Sequence, residues 1–258
     1  MKALLTVLGC WAGGPQQGEA ASGYLLSVGP TRVLLDCGPG VALALSARGL
    51  LDTLDAVVIS HRHADHCADL LALAYRRRFP HILPALPLYG PPDLRRVLDG
   101  LDALFGIPSL PELARPLGGA FDFRPVEPGD TMHVAGLEAI TLAAQHPVPT
   151  LSMRWPALGL TYTADSALTP ALAAFAVGTP LLLAESTYLS EQGRDLAGHG
   201  HMTAAQAATL AREARAGRLL LTHFADAAVA EGCVDAAARV YTGPIERARA
   251  GLDVVPVI

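Results

Sequence analysis

The sequence feature that most constrains this chain is a short segment rich in histidine and aspartate that follows a strand-like run. Residues 56–59 are apolar and mostly β-branched, and residues 60–70 then read Ser-His-Arg-His-Ala-Asp-His-Cys-Ala-Asp-Leu. Such a run predicts a buried strand, and the charged segment after it predicts a helix beginning at about Asp65. The chain must therefore place several imidazole and carboxylate groups at the end of a core strand.

Imidazole and carboxylate groups at this spacing are typical of a site for divalent metal ions. His61 and His63 alternate in an extended turn, so both rings can converge on one ion. Asp65 and His66 lie on the first turn of the helix and point the other way, toward a second ion. Neutral imidazole and carboxylate suit zinc, and manganese or iron can occupy the same kind of site.

Composition and charge exclude several other classes of protein. Of the 258 residues, 51% are hydrophobic and 17% are charged, which excludes a disordered chain. The net charge of −5 argues against a general nucleic-acid binder. The most apolar stretch, residues 171–184, is interrupted by Gly178 and Pro180, and no membrane association is expected. The four cysteines form no CxxC pair, which favours a reducing cytoplasm.

Short apolar runs bounded by Gly, Pro and Asp predict strands along the whole chain, and no linker or repeat separates them. We therefore expect one domain over residues 1–258. Thr203 and Gln206 form a capping-box pattern, and Thr169 precedes a proline at a first helical position. The predicted strands span residues 3–8, 24–28, 32–36, 56–60, 86–89, 137–142, 151–155, 158–163, 181–184 and 219–222. The predicted helices span residues 65–78, 92–105, 170–177, 204–216 and 225–240.

The pattern His61-x-His63-x-Asp65-His66 resembles the signature of the metallo-β-lactamase superfamily of hydrolases. The resemblance implies an α/β (α+β) fold, a four-layer αββα sandwich whose metal ions lie at one edge of two packed sheets. It also implies further ligands downstream, and each candidate lies just past a predicted strand. These candidates are His146, Asp165 and His223.

The superfamily's arrangement implies a role for each of these residues. His61, His63 and His146 would bind one ion, and the second ion would be bound by Asp65, His66 and His223. Asp165 would bridge the two ions. Members that hydrolyse β-lactams carry a cysteine where Asp165 stands, so β-lactam hydrolysis is not expected.

Two further features resemble the ribonuclease Z-like branch, which acts on phosphodiesters. A strand-like run ends in Glu185, and His199-Gly-His201-Met-Thr203 leads into the capped helix. The resemblance implies that Glu185 holds His201, which serves the scissile phosphate or the leaving oxygen, and we favour His201 over His199 for that role. It also implies that Asp36 supports residues 60–66, which we call the histidine loop, from the side away from the metal ions.

Members that process tRNA carry a long arm between the third histidine and the bridging aspartate, whereas Asp165 lies only 19 positions after His146 here. The chain thus looks like the small armless members, which include atypical class II cyclic-nucleotide phosphodiesterases. That likeness implies a dinuclear phosphodiesterase in which a hydroxide bridging the two ions attacks a cAMP-like substrate, with Asp65, His201 and Glu185 as catalytic residues. A homodimer is expected by the same analogy, and a nucleic-acid partner is not.

The sequence leaves three other functions open. A tRNA 3′-processing endoribonuclease and an ester or lactone hydrolase would use the same ions, and a metal-binding interaction module would not need to catalyse. The arginines Arg76, Arg77 and Arg78 either reach a substrate phosphate or complement the end of a solvated helix.

Overall fold

The strands of the computed structural model form two mixed sheets, and the structure describes residues 3–191, 193 and 195–256. Most strands lie close to where the apolar runs predict them, with ends displaced by a few residues. The strands are β1 (Ala3–Trp11), β2 (Ala20–Ala21), β3 (Gly23–Val28), β4 (Thr31–Leu35), β5 (Ala56–Val58), β6 (Leu86–Gly90), β7 (Phe121–Pro125), β8 (Thr131–Val134), β9 (Leu137–Ala143), β10 (Leu151–Trp155), β11 (Leu160–Tyr162), β12 (Leu181–Glu185), β13 (Arg218–Thr222), β14 (Ile245–Arg247) and β15 (Asp253–Val254).

Both sheets combine antiparallel and parallel pairing. The first sheet has the order β15-β1-β3-β4-β5-β6-β7, with β2 paired to β1, and its strands from β4 to β7 run parallel. The second has the order β14-β13-β12-β11-β10-β9-β8, with β11 to β14 parallel. Parallel strands end at the same edge of a sheet, so the residues that follow them gather there.

Helices connect the strands and cover the outer faces of the sheets. Two 3₁₀ turns are formed by Pro111–Leu113 and Pro156–Leu158. The helices are α1 (Val41–Ser46), α2 (Ala64–Cys67), α3 (Leu70–Arg78), α4 (Leu94–Phe105), α5 (Pro116–Ala120), α6 (Pro170–Phe175), α7 (Leu196–His199), α8 (Ala204–Glu213) and α9 (Ala227–Ala238).

Alternation along the strands produces the layers. In β4, Val33 and Leu35 pack between the two sheets, whereas Leu34 packs on the outer face with residues of α1, α3 and α4. The second sheet is covered on its outer face by α6, α8 and α9, which contribute Leu172, Leu210 and Cys233 to the core. Strands buried on both faces explain the continuous apolar runs, and the expected αββα sandwich is confirmed.

Some local expectations differ from the structure. The helix predicted over residues 65–78 is divided into α2 and α3 at Asp69, whose backbone and side chain bond to other segments of the chain. The Asp69 amide donates to the Cys37 carbonyl at 3.0 Å, and its carboxylate accepts the Ala42 amide at 2.9 Å. The run predicted as a strand over residues 158–163 begins in a 3₁₀ turn. Gly159, with φ of 63°, ends that turn, so the strand is only three residues long.

The capping box is confirmed: Thr203 Oγ1 accepts the Gln206 amide, and the Gln206 side chain accepts the Thr203 amide in return. Within the described part of the chain, no helix is both long and apolar enough to cross a membrane.

Candidate metal centre

The loops that follow four strands meet at one edge of the sandwich and carry every residue of the expected ligand set. The histidine loop follows β5, and His146 follows β9. Asp165 follows β11, and His223 follows β13. The main chain ties the two sheets together here, because the Leu151 amide donates to the Ser60 carbonyl at 3.0 Å.

Four side chains form a first cluster of ligand atoms. His63 Nδ1 lies 3.0 Å from both His61 Nε2 and His146 Nε2. Asp165 Oδ2 lies 3.6 Å from His61 Nε2. These four residues offer one ligand atom each within 4.8 Å of one another. The structure therefore brings together His61, His63 and His146 as the sequence predicted.

A second cluster adjoins the first. His223 Nε2 lies 3.2 Å from His66 Nε2 and 3.3 Å from Asp65 Oδ2. Asp165 connects the clusters, because its Oδ2 is 3.3 Å from His66 Nε2 and its Oδ1 is 3.4 Å from His223 Nε2. One carboxylate thus faces ligand atoms of both clusters, the position that a bridging group requires.

The first cluster suits a cation rather than a hydrogen-bonded core. Burial lowers the pKa of His61, His63 and His146, so their rings are neutral near pH 7 and their lone pairs face one another. Four ligands about 2.0–2.1 Å from a tetrahedral ion lie about 3.3 Å apart, close to the spacing of these atoms.

The charges of the second cluster also suit a divalent cation. Burial raises the pKa of Asp65 and Asp165, but nearby His223 and His66 outweigh it, so both acids are ionised. Burial also lowers the pKa of His66, and the carboxylates of Asp165 and Asp36 reverse that effect and raise it well above its ordinary value. Buried anions that concentrate around imidazoles are characteristic of a divalent cation site.

Asp36 supports the histidine loop from behind, as predicted. Its Oδ2 accepts hydrogen bonds from Ser60 Oγ at 2.9 Å, His66 Nδ1 at 2.9 Å and Tyr162 Oη at 2.7 Å, while its Oδ1 accepts the Ser60 amide at 2.7 Å. The carboxylate fixes the tautomer of His66 with Nε2 toward the cluster. Asp36 is fully buried, and its φ of 58° is one that aspartate tolerates.

Glu185 and His201 form the pair that the sequence predicted. His201 Nδ1 donates to Glu185 Oε1 at 2.9 Å, and Glu185 is buried at the end of β12. Burial lowers the pKa of His201, but the hydrogen bond and charge of Glu185 outweigh it and raise that pKa to about 9. His201 therefore carries a proton near pH 7, and its ring stacks on His223 with centroids 5.5 Å apart.

Thr187 is a residue that the sequence reasoning missed. Its Oγ1 donates to Glu185 Oε2 at 2.7 Å and lies 2.9 Å from His223 Nδ1. Since the hydroxyl proton goes to Glu185, Oγ1 accepts the proton on His223 Nδ1 and leaves Nε2 free for the cluster. The only signal in the sequence is a hydroxyl residue two positions after Glu185.

An open cavity of about 370 Å³ leads to the clusters. Its lining includes His63, Asp65 and His201 together with Tyr188 and His199, so His199 lies at the site even though it was not favoured there. Gly13 also lines the cavity, and its amide donates to Asp65 Oδ2 at 2.6 Å. The sequence gives no signal for that amide.

Arg76, Arg77 and Arg78 do not line this cavity. Arg76 pairs with Asp52, and the buried Arg77 donates to the Pro84 carbonyl at 2.6 Å. Neither arginine is oriented toward a substrate at the clusters.

Comparison with known proteins gives the class of this fold and site. The family described as "Beta-lactamase superfamily domain" matches residues 31–224. The chain belongs to this superfamily, the metallo-β-lactamase superfamily of hydrolases.

Individual relatives match over nearly full length. The probable metallo-hydrolase YhfI of Bacillus subtilis is 33% identical over 96% of this chain and 97% of its own. Its crystal structure superposes with a TM-score of 0.84 at 29% identity, covering 98% of this chain and 99% of that one. A ribonuclease Z of Nocardia farcinica is 27% identical over 85% of this chain and 86% of its own. Human tRNase Z, short form, shares the fold, with a TM-score of 0.76 at 22% identity over 99% of this chain and 100% of that one.

Proposed function

We propose that this chain is a dinuclear metal-dependent phosphodiesterase that favours a small substrate, with a cyclic nucleotide such as cAMP as the leading class. The observation that carries the proposal is the His201–Glu185 pair, whose His201 lines the same cavity as residues of the two ligand clusters. A protonated imidazole beside a metal centre supplies the proton that an alkoxide leaving group needs. The cavity volume of about 370 Å³ also suits a small ligand.

The two clusters would hold two divalent ions, and their imidazole and carboxylate donors are the types that zinc prefers. His61, His63 and His146 would bind one ion, with Asp165 shared between both. Asp65, His66 and His223 would complete the second site. When bound, such ions make water more acidic and neutralise charge on a phosphoryl group.

The chain's own residues then have separate tasks. Asp65, held by the Gly13 amide, orients the attacking water through its carboxylate. His201 donates its Nε2 proton to the departing ribose oxygen, while Glu185 at Nδ1 stabilises the charged ring and keeps it aimed at the cavity. Thr187 fixes Glu185 and His223 relative to one another.

A tRNA 3′-processing endoribonuclease is the second candidate, and the 27% identity to ribonuclease Z supports it. Against it, the 18 residues between His146 and Asp165 are taken up largely by β10, a 3₁₀ turn and β11, which leaves no length for an arm. The net charge of −5 is also unfavourable for binding tRNA. The proposal further includes a homodimeric, cytoplasmic enzyme, to be checked by light scattering and cell fractionation.

The test compares metal-loaded wild type with three variants on bis(p-nitrophenyl) phosphate, cAMP, p-nitrophenyl acetate and a tRNA precursor. His63→Ala and Asp65→Ala should lose metal and nearly all phosphodiester turnover while staying folded. His201→Ala should keep its metal and lose about 10²–10⁴-fold in rate. Retained turnover in either ligand variant would refute the dinuclear site.

The other substrates decide between the candidate functions. Preferential cleavage of the tRNA precursor would favour the endoribonuclease, and preferential turnover of the acetate would favour an ester hydrolase. Loss of metal in His201→Ala would show that His201 is a ligand or a structural residue.

A further inference from the structure

Arg78, the last member of the arginine triplet, lies in a second cleft lined by three arginines. This cleft has a volume of about 490 Å³ and shares no lining residue with the cavity of the metal centre. Arg78 reaches it from the end of α3, Arg95 from α4 and Arg115 from the residue before α5. We call it the arginine cleft.

Two of these guanidinium groups are held in place without being neutralised. Arg78 Nε donates to the Glu112 carbonyl at 3.2 Å, and the Arg95 guanidinium lies 4.8 Å from the centre of the Phe123 ring. Among the described residues, neither Arg78 nor Arg95 forms an ion pair. Contacts with a neutral carbonyl and an aromatic face fix their positions and leave their charge available.

Arg115 differs from the other two. It pairs with Asp99 at 3.4 Å and with Asp102 at 3.5 Å, so its charge is partly compensated. Among the described residues, Glu112 is the only acidic one that lines the cleft. Arg78 and Arg95 thus offer two guanidinium groups that no described carboxylate pairs with, on a chain whose net charge is −5.

The backbone of α5 is shaped to admit Arg78. A Cβ at Gly119 would lie 2.8 Å from Arg78 Nε and 3.0 Å from its Cζ, so the guanidinium packs closer to this backbone than it could if residue 119 carried a side chain. This close approach holds the group at the wall of the cleft instead of in open solvent.

We propose that the arginine cleft binds a small anion carrying two or more phosphate groups, such as a nucleoside diphosphate or triphosphate. Guanidinium groups offer paired N–H donors that match phosphate oxygens, and several phosphates on one ligand can engage separate arginines. A concave space of about 490 Å³ fits a compact ligand of this kind. The inference does not depend on the proposed hydrolysis.

The test is calorimetric titration of the full chain with inorganic tripolyphosphate at low and high salt. Titration of His63→Ala in parallel separates this cleft from the metal centre. Wild type and His63→Ala should both bind at the cleft, more weakly at high salt. Arg78→Ala and Arg95→Ala should each weaken binding about tenfold or more, and Arg115→Ala should weaken it less.

Gly119→Ala is the sharpest variant, because it leaves every charge in place and displaces only Arg78. It should weaken binding in the same direction as Arg78→Ala, by a factor no larger. Gly100→Ala in α4, where a Cβ meets no atom within 4 Å, is the matched control and should bind as wild type does. Arg239→Ala, at the exposed end of α9, is the control for charge.

Three results would overturn the proposal. The first is no binding of tripolyphosphate to His63→Ala. The second is binding that Arg78→Ala, Arg95→Ala and Gly119→Ala leave unchanged. The third is tighter binding of a short single-stranded oligoribonucleotide that depends on the same arginines, which would make the cleft a docking surface for RNA.

Discussion

Replacing Asp36 by asparagine tests how much of the molecule's stability depends on one buried carboxylate beneath the histidine loop. The substitution keeps the shape of the side chain, and asparagine tolerates the φ of 58° found there. What changes is hydrogen bonding, because both oxygens of Asp36 accept and an amide nitrogen cannot. Backbone strain and cavity formation are therefore excluded as causes.

The structure allows the cost to be worked out. If the amide oxygen replaces Oδ2, it keeps Ser60 Oγ, His66 and Tyr162 as donors, and the amide nitrogen then faces the Ser60 amide. The opposite orientation loses three donors instead of one. One lost hydrogen bond to a buried charge costs about 1.5–3 kcal/mol. Removing the anion that pairs with His66 brings the expected loss to about 3–5 kcal/mol.

The assay is urea unfolding in the presence of a chelator, so that bound metal does not add to the free energy of unfolding. Asp235→Asn, on the exposed side of α9, is the matched control and should stay within about 0.5 kcal/mol of wild type. A loss in Asp36→Asn of less than about 1 kcal/mol would refute the reasoning, since it would mean that the four hydrogen bonds contribute little net stability.

Three further predictions follow from contacts at and near the site. Glu185→Gln removes the group that raises the pKa of His201 to about 9, so phosphodiester turnover should fall at lower pH than in wild type. If the pKa of His201 in the variant takes its ordinary value of 6.5, the protonated fraction of His201 at about pH 8 falls about thirtyfold. Superimposable pH–rate profiles would contradict this prediction. Gly38→Ala places a Cβ against the Asp65 carbonyl and should lower both metal content and thermal stability, whereas unchanged metal content by elemental analysis would show that the loop adapts. Thr203→Ala removes the hydroxyl that caps α8 and should cost about 1 kcal/mol in urea unfolding, with no loss expected if solvent caps the helix equally well.

Sequence patterns predicted the centre of this molecule better than its periphery. Strands buried on both faces produce unbroken apolar runs, and β10 coincides with its run from Leu151 to Trp155. The edge strands β7 and β14 were missed, because most of their residues are partly or fully exposed and no apolar run marks them. A pattern that depends on burial cannot find strands that are only partly buried.

In the candidate site, too, the sequence could reveal some of the functional groups and not others. Histidine and carboxylate residues after strands could be found from the resemblance, since their types and order are distinctive. Thr187 and the Gly13 amide could not, because a hydroxyl and a backbone N–H are common along any chain and acquire a role only when folding places them beside Glu185 and Asp65.

The number of metal ions bound per chain distinguishes a dinuclear centre from a single site or none. The protein would be loaded with zinc, dialysed and measured by elemental analysis, beside His146→Ala and His223→Ala. The two clusters predict about two ions per chain in wild type and about one in each variant, because each substitution removes a ligand from a different cluster. Wild type without bound metal, or variants that keep both ions, would contradict it.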